Sequence, residues 1–139
     1  MKSRYELFDH TADIGVRVWA PTLSELVVPA GQALYAVIGE LIPAESAETH
    51  RLSFGDDEPA LLLRDYLAEL LRLFETQRRM VTAVEVEQFS ADRLRLAVQL
   101  HPVDESRSAY EREVKAVTYH ELNIRPVPGG HEATYILDI

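Results

Sequence analysis

The segment from Pro59 to Gln77 is the strongest constraint on the fold, because it carries an apolar stripe at helical spacing. Its apolar side chains form one face and its charged side chains fall outside that face. Pro59 stands where a first turn tolerates proline, and the acidic residues of Gly55–Glu58 suit a helix N-terminus. Arg78 and Arg79 follow at the end that attracts cations. The sequence therefore predicts one long amphipathic helix that must pack against a second layer.

A second helix is predicted after Pro21, where Thr22–Glu25 has the pattern of a capping box. Apolar positions then recur with helical period as far as Leu41. Pro29 interrupts this pattern, because proline lacks an N–H group and clashes with the preceding turn. We therefore expect either a kink or a late start to the regular helix.

The remaining segments alternate between apolar and polar residues, as half-buried strands do. Tyr5–Phe8 and Ile14–Ala20 predict two strands, and a brief strand carries Leu52 and Phe54. From Val81 onward the pattern predicts a hairpin turning at Ser90–Asp92, and then strands at 114–119, 122–127 and 133–137. About seven short strands and two main helices indicate an α+β fold with a mostly antiparallel or mixed sheet packed against the helices. We expect residues 1–139 to form a single domain.

The composition limits the classes of function that the chain can have. The formal charge of −9 repels nucleic-acid phosphates, so we expect no direct nucleic-acid binding. The absence of cysteine removes disulfides and thiolate metal sites, and is compatible with a reducing compartment. The N-terminus has no apolar leader and no segment is long enough to span a bilayer. We expect a soluble cytoplasmic protein without membrane contact, while oligomerisation stays open.

Chemistry is concentrated in Asp9–Gly15 (DHTADIG), which gathers two carboxylates, an imidazole and a hydroxyl just before a strand. These groups can hold a divalent cation, act as an acid and base pair, or simply satisfy a turn. The turn is the commoner role for Asp and Thr between strands.

The end of the chain and Lys115 are the other candidates. If the last strand is held in the sheet, Asp138 and the α-carboxylate of Ile139 become fixed oxygen donors; otherwise they belong to a solvated tail. Lys115 is predicted on the strand face opposite Val114 and Ala116, a face that it shares with Val117 and Tyr119. It is either an exposed strand lysine or a charge partner for nearby carboxylates or a ligand.

Three separated segments together resemble the archease family: Asp9–Gly15, Arg112–His120 (REVKAVTYH) and Leu137–Ile139 (LDI). The helical segment Leu67–Phe74 (LAELLRLF) is also similar, so the likeness spans essentially the whole chain. It implies a cytoplasmic accessory protein that promotes guanylylation and multiple turnover of a GTP-dependent RNA-splicing ligase in tRNA splicing, without joining RNA itself.

The resemblance also implies roles for individual residues. Asp13, Asp138 and the terminal Ile139 match the family's divalent-cation site, with calcium as the expected ion and manganese or magnesium as alternatives. Lys115 matches a residue that the family needs for activity. Asp9 and His10 belong to the motif and are expected to orient the ligand-bearing segment.

Two other functions remain open from the residues alone. One is a metal-dependent phosphoester hydrolase in which Asp9 or His10 acts as general base on a metal-bound water. The other is a scaffold in which a cation merely ties the C-terminus to Asp9–Gly15.

Overall fold

A computed structural model describes residues 1–139, which form two helices and ten strands. The helices are α1 (Val27–Ile38) and α2 (Pro59–Gln77). The strands are β1 (Arg4–His10), β2 (Asp13–Ala20), β3 (Gly39–Glu40), β4 (Glu48–Gly55), β5 (Arg79–Phe89), β6 (Arg93–Pro102), β7 (Ala109–Tyr110), β8 (Ala116–Val117), β9 (Asn123–Val127) and β10 (Gly130–Asp138). The predicted α+β class is confirmed.

The strands form three antiparallel sheets, not one sheet of about seven strands as predicted. The largest has the order β1-β2-β10-β8, and β9 pairs with β10 beside β8. A three-stranded sheet has the order β4-β6-β5, and β3 pairs with β7. The additional strands are short pairings between distant segments, such as Gly39 with Tyr110, which have too few residues to show a periodic pattern.

Helix α1 begins late, which confirms one of the two outcomes expected from Pro29. The Thr22 hydroxyl accepts the N–H of Glu25 at 3.2 Å, but Ser24–Leu26 form a 3₁₀ turn and the regular helix starts at Val27. Pro29 is thus the third residue of α1, where its missing N–H costs no helical hydrogen bond.

Helix α2 has the predicted bounds, with Pro59 in its first turn and Arg78 in the left-handed conformation (φ +48°) just past its end. Its apolar stripe is buried in one core of 31 residues, together with the inner faces of α1, β2, β6 and β10. Neither helix combines the length and the apolar character needed to cross a bilayer.

Two buried tyrosine hydroxyls connect α1 to the two larger sheets. The Tyr135 hydroxyl, on β10, donates to the Ala30 carbonyl at 2.7 Å. The Tyr35 hydroxyl, on α1, accepts the N–H of Val81 on β5 at 2.9 Å. Helix α1 is therefore pinned between the two sheets by hydrogen bonds as well as by apolar packing.

Candidate functional site

The turn between β1 and β2 brings the first candidate residues together. Strand β1 continues to His10 and β2 starts at Asp13, so only Thr11 and Ala12 form the turn, with Ala12 at φ +59°. Asp9–Gly15 therefore forms the tip of a tight hairpin, and the turn itself has only two residues. The register pairs His10 with Asp13, and His10 Nδ1 lies 3.9 Å from Asp13 Oδ2.

The C-terminal strand is held firmly, which answers the question whether the chain end is a solvated tail. Strand β10 lies between β2 on one side and β8 and β9 on the other, and it stays paired as far as Asp138. The Asp138 carbonyl accepts the N–H of Lys115 at 2.7 Å. Asp138 is therefore fixed on both sides by neighbouring strands.

Register places the two predicted ligands opposite each other. Asp138 is the direct antiparallel partner of Asp13, and directly opposed residues point to the same face of a sheet. Their neighbours Leu137 and Ile14 are also a pair and pack into the core, so the two aspartates face away from it. Like charges in directly opposed positions repel, so this arrangement calls for a compensating positive charge.

An open cavity of about 490 Å³ lies at this end of the sheet. Asp13 and Ile139 both line it, together with Asp9, His10 and Arg112. Asp138 is not among the residues that line the cavity, although the register places it on the same face of the sheet as Asp13. Carboxylate oxygens are the donors that calcium or magnesium takes, so Asp13, Asp138 and the last residue of the chain fit such an ion by donor type. Arg112 lines the same cavity and is the alternative source of positive charge.

Asp9 and His10 occupy different positions relative to Asp13. His10 is the cross-strand neighbour of Asp13, whereas Asp9 pairs with Ile14 and is exposed. Of the two residues expected to orient the ligand segment, His10 is thus the one placed beside the Asp13 carboxylate.

Lys115 is connected to this end of the sheet through its backbone, but its side chain lies along a neighbouring cavity. That cavity, of about 630 Å³, is lined by Lys115, Arg112, Arg78, Tyr110 and Phe74 among others. Arg112 lines both cavities, so they adjoin at its side chain.

The strand predicted at 114–119 is reduced to Ala116–Val117, which changes the faces assigned there. Lys115 is exposed while Val114 and Val117 are both buried, so Lys115 does not share a face with Val117 as predicted. The alternation fails because residues 111–115 lie outside any strand and the chain turns at His120–Glu121.

Two of the five histidines, far apart in the sequence, are brought into contact by the fold. The rings of His10 and His120 approach to 5.3 Å between centroids, and Glu121 lies beside them. No local signal predicts this, because the contact depends on the order of strands in the sheet. Arg112 was also missed as a cavity residue, although it stands in the motif that resembles archeases.

Comparison with known proteins supplies the family. Residues 5–139 match the model of the Archease protein family (MTH1598/TM1083). The archease of Methanopyrus kandleri is 31% identical over a match that covers 97% of this chain and 99% of that protein. The archease of Methanosarcina mazei is also 31% identical, with 98% and 96% covered.

Two solved structures have the same fold. The solution structure of protein 1598 from Methanobacterium thermoautotrophicum has a TM-score of 0.75 at 28% identity and covers 97% of this chain and 98% of that one. The crystal structure of an archease from Thermotoga maritima has a TM-score of 0.70 at 19% identity, with 96% of each chain covered. On the family match and the two curated relatives, this chain belongs to the archease family.

Proposed function

We propose that this protein activates a GTP-dependent RNA-splicing ligase by promoting its guanylylation, and that it does not join RNA itself. Membership of the archease family supports an accessory role. The Thermotoga maritima relative is described as a possible chaperone, which is also a role in assisting another protein. The observation that carries the proposal is the pairing of Asp13 with Asp138 at the fixed end of the five-stranded sheet, next to Lys115.

In this proposal Asp13, Asp138 and the α-carboxylate of Ile139 hold a divalent cation, with calcium expected. The cation supplies positive charge between two opposed carboxylates and joins the chain end to the β1–β2 hairpin. His10 Nδ1 lies 3.9 Å from Asp13 Oδ2, and His10 would orient that carboxylate once the ion draws the two side chains together. The donor set is rich in oxygen, which suits a hard cation.

The ligase-facing surface is proposed to include the cation site and the adjoining cavity with Lys115. That cavity combines cations from Lys115, Arg112 and Arg78 with the apolar rings of Phe74 and Tyr110. Tyr110 is 44% exposed, so apolar area is available for a protein partner. The surface would dock at the mouth of the ligase active site and either deliver a metal ion or hold the nucleotide pocket in its reactive arrangement.

The charge of the chain supports a protein partner over RNA. A net charge of −9 favours approach to a basic protein surface, and opposes approach to phosphate. The proposed setting is the cytoplasm, with which a chain free of cysteine is compatible.

The test is a guanylylation assay, in which a purified ligase reacts with GTP with and without this protein. We expect Asp138→Ala and Lys115→Ala to lower the stimulation by about tenfold or more, because each removes a group that the proposal needs at the interface. Matched controls are Glu85→Ala, an exposed carboxylate on β5, and Lys2→Ala, the only other lysine of the chain. Both controls should stimulate fully.

Full stimulation by a folded Asp138→Ala variant would contradict the proposal. The same preparations, assayed alone on a phosphodiester with added metal, test the alternative hydrolase. Turnover that disappears in His10→Gln or Asp9→Asn would favour that enzyme over an activator.

A further inference from the structure

We propose that His10, His120 and Glu121 form a second metal site, suited to a transition-metal ion such as zinc and distinct from the proposed oxygen site. One ligand atom from each residue lies within 4.8 Å of the other two. It is the only group of three such side chains with this spacing in the chain.

The orientation of His10 favours metal binding. Its Nε2 lies 3.7 Å from Glu121 Oε1, and its ring meets the His120 ring edge-on at an interplanar angle of 65°. Its Nδ1 is buried, has no hydrogen-bond partner, and lies 3.9 Å from Asp13 Oδ2. In metal sites a histidine typically binds the ion through one nitrogen while the other nitrogen donates to a carboxylate. His10 would reach this arrangement if its ring moved by about 1 Å towards Asp13.

The segment that carries His120 and Glu121 is fixed relative to His10. The Thr118 hydroxyl donates to the Ile136 carbonyl at 3.0 Å and accepts the N–H of His120 at 3.2 Å. Arg64 on α2 donates to the Val117 carbonyl at 3.0 Å. The His120–Glu121 turn is therefore anchored to β10 and α2, and β10 reaches β1 through β2, so the three ligands are largely positioned before a metal arrives.

The donor atoms determine the class of ion. Two imidazole nitrogens and one carboxylate oxygen suit zinc and neighbouring divalent transition metals, whereas calcium prefers oxygen ligands. Bonds of about 2.0–2.2 Å require the three side chains to close in slightly. His120 and Glu121 are exposed, so an ion can reach the site from solvent and keep an open coordination position there.

The alternative is an ordinary surface contact, in which His10 pairs with Glu121 and packs against His120 without any metal. The chain offers a matched control for this alternative. His50 Nε2 lies 3.0 Å from Glu48 Oε2, and the nearby third residue is Arg79, a cation that cannot act as a ligand. This second His–Glu pair should therefore bind zinc no better than a free histidine.

The test is calorimetric titration of the untagged, chelator-treated protein with Zn²⁺. We expect His120→Gln and Glu121→Gln each to weaken zinc binding by about tenfold or more, while His50→Gln leaves it unchanged. The imidazole nitrogen signals of His10 and His120 should shift on addition of zinc, and those of His50 should not. Circular dichroism confirms that each variant is folded.

Equal zinc affinity in the wild type and His120→Gln, or no zinc binding by the wild type, would overturn the proposal. Asp138→Asn separates this site from the oxygen site, since it should weaken Ca²⁺ binding and spare Zn²⁺ binding. Zinc binding lost in Asp138→Asn but kept in His120→Gln would also overturn it. Absence of Ca²⁺ binding by the wild type would count against the proposed oxygen site alone.

Discussion

The five-stranded and three-stranded sheets cover the same core, but the chain builds them in different ways. The three-stranded sheet uses Glu48–Gly55 and a hairpin of neighbouring strands, β5 and β6. The five-stranded sheet brings residues 4–20 beside residues 116–138, from the opposite end of the chain. The candidate site lies only where the two chain ends meet.

Their outer faces differ as well. On the three-stranded sheet the Arg51–Glu87 pair, at 3.4 Å, is exposed to solvent, and such pairs contribute little to stability. On the five-stranded sheet, Arg17 lies over the Phe8 ring at 4.0 Å and Trp19 Nε1 donates to Glu132 at 2.8 Å. The face of the five-stranded sheet that carries Asp13 and Asp138 therefore also carries cation–π and hydrogen-bonded contacts between its side chains. The Arg51–Glu87 pair on the other sheet is a solvent-exposed ion pair.

A pair of glycines tests the comparison most severely. A Cβ at Gly130, where β10 begins, would lie 2.2 Å from the Ala20 carbonyl oxygen and 2.9 Å from Pro21 Cα. Because backbone atoms cannot yield easily, Gly130→Ala should lower the free energy of unfolding by about 3 kcal/mol or more.

The matched change is Gly55→Ala at the end of β4, where the added Cβ would meet only the Arg93 side chain at 3.5 Å. Its effect should stay within about 0.5 kcal/mol. Urea denaturation of both variants measures the difference. Similar losses at the two positions would show that β10 is not packed more tightly against its neighbours than β4.

Removing the hydroxyl of each buried tyrosine compares how strongly the two sheets are attached to α1. Tyr35→Phe leaves the Val81 N–H without this acceptor in a buried position, so the free energy of unfolding should fall by about 2 kcal/mol. Tyr135→Phe should cost about 1 kcal/mol, because the Ala30 carbonyl lies within α1 and keeps its helical hydrogen bond. Thermal and urea unfolding give both values. A larger loss for Tyr135→Phe than for Tyr35→Phe would contradict the expected order.

Asp65 on α2 tests whether carboxylate repulsion and burial destabilise the fold away from the proposed site as well. Partial burial, with Asp56 as a neighbouring carboxyl, raises the pKa of Asp65 from 3.8 to about 6. Folding therefore favours the protonated form. This contribution to stability is fully present below pH 3.8 and is lost as the pH rises through about 6.

Asp65→Asn should accordingly raise the free energy of unfolding at pH 7 by about 1 kcal/mol, a value reduced by solvent screening of a side chain that is 26% exposed. The gain should shrink towards zero near pH 4. Asp57→Asn, at an exposed carboxylate beside Asp56, is measured as the matched control. A gain that does not vary with pH would contradict the pKa shift.

The same contrast explains what could be predicted from the sequence. Helix α2 and the β5–β6 hairpin follow from local signals: an apolar stripe, a proline, and the turn at Ser90–Asp92. Their partners are neighbours in the chain, so periodicity and turn residues suffice. The late start of α1 is one of the two outcomes that Pro29 predicts, the other being a kink.

The candidate site depends on long-range pairing, which no local pattern contains. Asp13 and Asp138 were selected by resemblance to archeases, and their direct opposition follows only from the register of β2 with β10. The approach of His10 to His120 needs that sheet order as well as the turn after β8. Lys115 is exposed and Val117 is buried, so they do not share the predicted face, because the strand begins only at Ala116.

Calcium-dependent thermal unfolding tests the central claim most directly, that the end of the five-stranded sheet holds a cation. The wild type, Asp138→Asn and the β5 control Glu85→Gln are melted in chelator and in saturating Ca²⁺. An ion that binds only the folded state raises the melting temperature, so calcium should stabilise the wild type and Glu85→Gln but not Asp138→Asn. An equal shift in all three proteins, or a shift in none, would contradict the claim.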